Sequence, residues 1–259
     1  MEQLRPLLGT TLVLVAHPDD EAIACGALMQ KMQRAVVVFA TDGAPRDEAF
    51  WKAYGSRQAY VDVRRQEARR ALRIAGACPV FLAERVDDGI ADQELFSNLP
   101  AAIAALEQVI AQVDPDAVLT LAYEGGHPDH DAACFMAAVV GRRAAIPVWE
   151  SPLYHRNADG KSALQKFSTP TGAELELHCE CSPLQKKIQM FHTYKSQKLV
   201  LDVFRPDLET FRPIADYDFR IPPFPWKLNY ELWKWKMSGS EVSAAFDDYL
   251  RNEQDGIGR

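Results

Sequence analysis

The stretch Leu12-Val-Leu-Val-Ala-His17-Pro-Asp-Asp20-Glu21 joins an apolar run directly to a polar cluster. No polar residue interrupts Leu12 to Ala16, which is typical of a strand that is buried on both faces of a parallel sheet. Pro18 suits the first turn of a helix, and the three acids suit its positive N-terminal end. Taken by itself, the stretch predicts a strand, a turn and a helix with ordinary capping chemistry.

A second stretch repeats this arrangement about a hundred residues later. The apolar run Ala117 to Ala122 is followed by a loop, Tyr123 to Gly126, and then by His127-Pro-Asp-His130-Asp131. Helix capping does not use histidine, so capping alone does not explain two such turns. Open α/β sheets bind ligands at the carboxyl ends of their strands. We therefore expect the two loops to face each other and to bring three histidines together with several carboxylates.

The rest of the chain alternates between apolar runs and helical patterns. We predict strands at Ala35–Ala40 and Pro79–Ala83, and helices at Glu21–Gln33, Gln58–Gly76 and Leu99–Val113. Such alternation predicts an α/β fold, with a Rossmann-like, mostly parallel sheet that carries helices on both faces.

The C-terminal part differs in character from the rest. Aromatic residues and prolines are concentrated between Leu201 and about Trp235, with too few aliphatic residues for a separate core. We therefore predict a single domain over residues 1–259, with a core of about residues 10–200. The aromatic- and proline-rich C-terminal extension, about residues 201–259, is expected to pack over that core as a strap.

Composition narrows the possible functions. The net charge of −7 argues against a nucleic-acid partner, and no apolar run approaches the roughly 20 residues that cross a bilayer. The first residues lack the apolar segment of a signal peptide, and the five cysteines are interpreted as reduced thiols. These features predict a cytoplasmic protein without membrane insertion.

The spacing of the polar residues points to a metal site. His17 and Asp20 are three residues apart, and His130 occupies the matching position of the second loop. Two histidines and one carboxylate leave a coordination position open, as in hydrolytic zinc sites, and Asp19 could then act as general base. The spacing leaves two roles open for His127: a fourth ligand that closes the shell, or a free group that stabilises an oxyanion or protonates the leaving nitrogen.

The motifs Ala16-His-Pro-Asp-Asp-Glu21 and His127-Pro-Asp-His130 resemble those of the PIG-L/LmbE-like family of zinc-dependent N-acetylglucosaminyl deacetylases. The resemblance extends over about residues 10–200. One departure is Gly125, where some members place a mobile tyrosine. The resemblance implies the following roles: metal ligands His17, Asp20 and His130, general base Asp19, a free His127 that acts on the tetrahedral intermediate, and sugar-facing Arg64 and Asp88.

The resulting hypothesis is a hydrolase that uses Zn²⁺ or another divalent transition metal. It would remove an acetyl or other short acyl group from a small-molecule N-acetylated amino sugar or glycoconjugate, and similar proteins include homo-oligomers. One alternative keeps the metal but makes the protein a hydratase or lyase. A second alternative is a non-catalytic protein that binds metal or sugar.

Overall fold

The computed structural model describes residues 2–257 and is organised on a central sheet of seven strands. The strands of the chain are β1 (Thr10–Val15), β2 (Arg34–Phe39), β3 (Cys78–Phe81), β4 (Ala117–Leu121), β5 (Val148–Ser151), β6 (Tyr154–Arg156), β7 (Ser162–Leu164), β8 (Leu175–His178) and β9 (Leu208–Pro213). The order in the central sheet is β3-β2-β1-β4-β5-β9-β8, while β6 and β7 form a separate hairpin. β1 to β5 pair in parallel, and β9 pairs antiparallel with both of its neighbours.

Helices cover both faces of this sheet. They are α1 (Asp20–Cys25), α2 (Arg57–Ala75), α3 (Leu99–Val113), α4 (Pro128–Ala144), α5 (Cys181–Thr193), α6 (Lys198–Leu201), α7 (Asn229–Leu232) and α8 (Gly239–Ile257). Side chains alternate along β1: Leu12 and Leu14 pack in the core with α3, α4 and α8, whereas Val13 and Val15 pack in the core with α1, α2 and α5. The predicted α/β fold is confirmed. Within residues 2–257, no helix is both long and apolar enough to cross a bilayer.

The C-terminal segment contributes to the sheet itself, which the expected strap does not describe. β9 lies between β5 and β8, and its Phe211 is fully buried. Sequence reasoning missed this strand because its polar residues resemble a loop. Inside the protein these residues are paired: Glu209 Oε1 lies 2.8 Å from Lys187 Nζ, and Arg212 Nε lies 2.7 Å from Glu150 Oε1. Pairing of this kind lets charged side chains occupy a buried strand.

The helix predicted over Glu21–Gln33 is shorter than expected. α1 ends at Cys25, and a short 3-10 turn follows at Leu28–Lys31. The N–H groups of Ala27 and Leu28 donate to the carboxylate of Glu209 at 2.7 and 2.9 Å. Because a carboxylate from β9 takes these donors, the helix ends before them, at a point that local sequence does not reveal.

Candidate active site

The two predicted loops meet at the carboxyl ends of β1 and β4, which are neighbours in the sheet. The ring centroids of His17 and His127 are 4.4 Å apart, and those of His17 and His130 are 5.3 Å apart. The expectation that helix capping does not use histidine is wrong here, because His127 is the N-cap of α4 and its Nδ1 accepts the N–H of Asp129 at 3.1 Å. Residues more than one hundred positions apart in the chain thus form one cluster.

The cluster offers donor atoms for a metal ion in more than one combination, and one of these consists of His17, Asp92, His127 and Asp129. His17, His127 and His130 each present a ring nitrogen within 4.8 Å of the other two. Asp20 lies between two of them, with Oδ2 3.4 Å from His17 Nδ1 and Oδ1 3.3 Å from His130 Nε2. Within the described part of the chain, the buried His130 Nδ1 has no hydrogen-bond partner. Imidazole and carboxylate donors of this kind suit zinc or a similar divalent ion.

Two further carboxylates, which sequence reasoning did not assign, complete the cluster. Asp129 Oδ2 lies 3.1 Å from His17 Nε2, and the same side chain accepts the N–H groups of Gln93 and Leu95 at 2.6 and 3.0 Å. Asp92 Oδ1 lies 3.5 Å from His17 Nε2 and 3.3 Å from His127 Nε2. Asp129 therefore orients His17 and also anchors the loop that brings Asp92 into the site. The His-Pro-Asp-His motif, which contains Asp129, could have indicated that this residue belongs to the site, whereas no sequence pattern indicates Asp92.

Asp19 is held in a strained backbone conformation. Its φ of 133° lies in a region that favours glycine. The N–H of Asp19 donates to Glu21 Oε2 at 3.1 Å, and its Oδ1 accepts from Arg64 Nη2 at 3.1 Å. Burial raises the pKa of Asp19 to about 7, although the Arg64 guanidinium opposes this rise. The side chain is therefore fixed beside the histidines, and burial holds its pKa above the usual carboxylate range.

The two predicted sugar-facing residues have different positions. Arg64 lies in the pocket wall. Its N–H groups donate to the Asp19 carboxylate, to Pro18 O at 2.7 Å and to Gly43 O at 3.0 Å. Asp88 is exposed in the turn in which Gly89 N–H donates to Val86 O, and it is not among the pocket-lining residues. Arg64 thus contacts the Asp19 side chain, whereas Asp88 lies outside the pocket wall, and the sugar-facing role of both residues stays a prediction.

The segment between α5 and α6 supports Asp19 through two hydrogen-bonded routes. Tyr194 O–H donates to Glu21 Oε1 at 2.5 Å, and Glu21 in turn accepts the N–H of Asp19. Gln197 Nε2 donates to the hydroxyl of Tyr60 at 2.7 Å, and Arg64 Nη1 donates to the same hydroxyl at 3.4 Å. One route holds the backbone of Asp19, and the other holds the guanidinium that contacts its carboxylate.

The charges of the cluster favour a cation. Burial would raise the pKa of Asp20, but His130 and His17 outweigh it and hold this pKa well below the usual range. Burial lowers the pKa of His127, and His17 adds to the effect. Four carboxylates, those of Asp19, Asp20, Asp92 and Asp129, surround the three histidines. Such a concentration of buried titratable groups is typical of functional sites.

The cluster opens into a pocket of about 410 Å³, a size that suits a small organic ligand. Aromatic residues form part of its wall: the Tyr154 ring lies edge-on to His130 at 5.4 Å, and Trp235 lies edge-on to His127 at 4.8 Å. Tyr154 belongs to the β6–β7 hairpin, which is anchored because Glu124 Oε1 accepts the N–H groups of Leu153 and Tyr154 at 2.7 and 2.9 Å. Sequence reasoning did not assign this hairpin to the site.

The chain is similar to a known family and to curated proteins. Residues 12–140 match the family model described as PIG-L: GlcNAc-PI de-N-acetylase. A curated relative from Bacillus cereus, named as a probable N-acetyl-alpha-D-glucosaminyl L-malate deacetylase 2, is 29% identical over 157 residues, which are 58% of this chain and 68% of the relative.

Two solved structures share the fold. One is the zinc-inhibited form of teicoplanin deacetylase Orf2, with a TM-score of 0.61 at 18% identity over 80% of this chain and 98% of that one. The other is GalB, the 4-carboxy-2-hydroxymuconate hydratase from Pseudomonas putida KT2440, with a TM-score of 0.53 at 20% identity over 74% of this chain and 81% of that one. At these identities the likeness bears on the fold alone.

Proposed function

We propose that this chain, which belongs to the PIG-L family, is a metal-dependent N-deacetylase. Its substrate would be a small N-acylated amino sugar or glycoconjugate, from which it removes an acetyl or other short acyl group. The observation that carries the proposal is the meeting of the two loops, which sets a buried carboxylate with a raised pKa, Asp19, beside a histidine–carboxylate cluster that can hold a cation. The family match and the name of the curated relative support the same reaction class.

His17, Asp20 and His130 are the residues that would hold the metal, Zn²⁺ or another divalent transition ion. When bound, such an ion polarises an acyl carbonyl and lowers the pKa of a water molecule. Support for this ligand set comes from the position of Asp20 between the imidazoles of His17 and His130. Asp129 would fix the orientation of His17 through its hydrogen bond to Nε2.

Asp19 and His127 would carry the protons of the reaction. Asp19 takes a proton from the attacking water as the water oxygen bonds to the acyl carbon. His127, whose Nε2 lies 3.3 Å from Asp92, stabilises the oxyanion, and the proton held by Asp19 then passes to the amide nitrogen, directly or by way of His127. The C–N bond then breaks and yields a free amine and a carboxylic acid. Arg64 keeps the Asp19 carboxylate in place during this transfer.

The alternative hypothesis is that the protein is a hydratase, because GalB, which shares the fold, is named as one. A direct test offers the purified, metal-reconstituted protein N-acetylglucosamine, other N-acetylated amino sugars and 4-carboxy-2-hydroxymuconate. We expect acetate and free amine from at least one amino sugar. Asp62→Asn is a control, because this exposed aspartate lies outside the pocket lining and its loss should leave turnover unchanged. Hydration of the muconate without acetate release would overturn the proposal. If the protein turned over neither the amino sugars nor the muconate, the proposal would also be overturned and the non-catalytic alternative would be favoured.

A further inference from the structure

Part of the pocket wall consists of large apolar side chains that are exposed to solvent. Among the described side chains, seven large hydrophobic residues are exposed, and four of these seven line this one pocket. We call these four the apolar rim: Phe50, Val200, Val203 and Trp233, exposed by 44%, 45%, 59% and 46%. Exposed apolar surface that collects around one opening marks a contact for an apolar partner or ligand.

The rim is assembled from three separate parts of the chain. Phe50 ends a short 3-10 turn, Val200 and Val203 lie in and just after α6, and Trp233 directly follows α7. The charged side chains of α6 pair with each other, since Lys198 Nζ lies 2.5 Å from Asp202 Oδ2. Residues distant in sequence thus converge on one opening, and the rim is continuous with the wall that contains Asp19 and the histidines.

The pocket has no uncommitted lysine or arginine for an acidic substituent. Of the described residues that line it, Arg64 is the one with a permanent positive charge, and its guanidinium already donates to Asp19, Pro18 and Gly43. The substrate named for the Bacillus cereus relative includes a malate group. Two carboxylates of that kind would call for cationic partners, whereas this pocket offers them apolar surface and the three acids Asp19, Asp20 and Asp92.

We infer that the substrate of this protein carries an apolar group larger than acetyl, attached to the amino sugar and seated on the apolar rim. This inference rests on the proposed deacetylase function and specifies its substrate class. Burial of an alkyl or aryl group against the rim removes apolar surface of both partners from water. The apolar group can belong to the aglycone or to the acyl chain, and both sources share this chemistry.

The test compares kcat/KM for three substrates below their micelle-forming concentrations: N-acetylglucosamine, its hexyl glycoside and N-hexanoylglucosamine. We expect one of the two hexyl compounds to exceed N-acetylglucosamine by about tenfold or more, because each buried methylene contributes severalfold. Whichever compound is preferred identifies the source of the apolar group. Equal values for all three would overturn the inference while the proposed function stands. Turnover of none of the three, nor of any other N-acylated amino sugar, would contradict the proposed function itself.

A pair of variants locates the preference on the rim. Val203→Asp puts a charge on the rim, and Ile221→Asp is the matched control, since Ile221 is 58% exposed but does not line this pocket. We expect Val203→Asp to lower the ratio of hexyl-substrate to N-acetylglucosamine kcat/KM by about tenfold, and Ile221→Asp to leave it unchanged. Circular dichroism checks that both variants are folded. An unchanged ratio in Val203→Asp would overturn the inference. If light scattering showed that Val203→Asp changes the oligomeric state while the ratio stays the same, the rim would be a subunit interface and the inference would also be overturned.

Discussion

Arg64 Nη2 lies 3.1 Å from Asp19 Oδ1, and both side chains are almost fully buried. The same guanidinium donates to Pro18 O, which follows β1, and to Gly43 O, which follows β2. One side chain therefore ties the ends of two strands together and fixes the carboxylate proposed as the base. Arg64, which lies on the arginine-rich helix α2, therefore supports the site.

Replacement of Arg64 by lysine tests this support. A lysine ammonium cannot reproduce a planar fork that reaches three acceptors, so Arg64→Lys should lower kcat by about 10- to 100-fold with a small change in KM. The control is Arg65→Lys, because Arg65 points to Glu84 at 3.1 Å instead. Steady-state kinetics of both variants provide the measurement. A wild-type kcat in Arg64→Lys would contradict the proposal that Arg64 positions Asp19.

The hydroxyl of Tyr194 should matter for stability. It donates to the buried Glu21 carboxylate, which in turn holds the strained backbone of Asp19. Tyr194→Phe leaves that carboxylate oxygen without its donor and should lower the free energy of unfolding by about 1–3 kcal/mol. Tyr249→Phe removes a hydroxyl that accepts from the partly exposed Arg143 and should cost much less. Urea denaturation of both variants measures the difference, and equal losses would refute the proposed importance of the buried contact.

A buried carboxylate far from the histidines should make stability depend on pH. Burial raises the pKa of Glu150 to about 7, even though Arg212 and Tyr217 oppose this rise. The native protein therefore retains a proton there that the unfolded chain loses above its ordinary pKa. This stabilising contribution is complete below about pH 4.5 and is lost as pH rises to about 7.

Glu150→Gln removes this titration. The stability of the natural protein relative to Glu150→Gln should accordingly fall by about 1–3 kcal/mol between pH 4.5 and pH 7.5. Thermal or urea unfolding of both proteins across this range provides the measurement. A difference that stays constant, or that grows with pH, would show that Glu150 titrates in its ordinary range.

The proposed ligand set makes a direct prediction for metal affinity. Loss of a ligand should weaken binding strongly, so His130→Ala should bind Zn²⁺ at least about 100-fold more weakly than the natural protein. His155→Ala is the control, because His155 is buried against Glu124 and lies outside the cluster. Equilibrium titration with a competing chelator gives both affinities. If the two variants bound metal equally well, His130 would not be a ligand.

Sequence patterns predict the strands and helices whose formation depends on residues close together in the chain. The apolar runs that became β1, β2, β3 and β4 were identified with small shifts at their ends, and so were the helices α2 and α3. The strand alternation and the two His-Pro-Asp motifs predict that His17 and His127 lie at the same edge of the sheet, and their ring centroids are 4.4 Å apart. These features depend on neighbouring residues, which sequence shows directly.

The features that were missed depend on contacts between distant residues. β9 is a strand because Lys187 pairs with its Glu209 and Glu150 accepts a hydrogen bond from its Arg212. Asp92 belongs to the site because Asp129 binds the adjacent backbone, whereas Asp88, which belongs to an Asp-Gly pair, is exposed. No local pattern records such pairings. The metal ligands and proton carriers stay predictions until they are measured.

The central claim is that Asp19 serves as the base of an amide hydrolysis beside a bound metal. The most direct measurement is acetate release by metal-reconstituted natural protein and Asp19→Asn, with metal content determined in the same samples. We predict equal metal content and a turnover that is about 10²- to 10⁴-fold lower in Asp19→Asn. Undiminished acetate release by the variant with its metal in place would contradict the account.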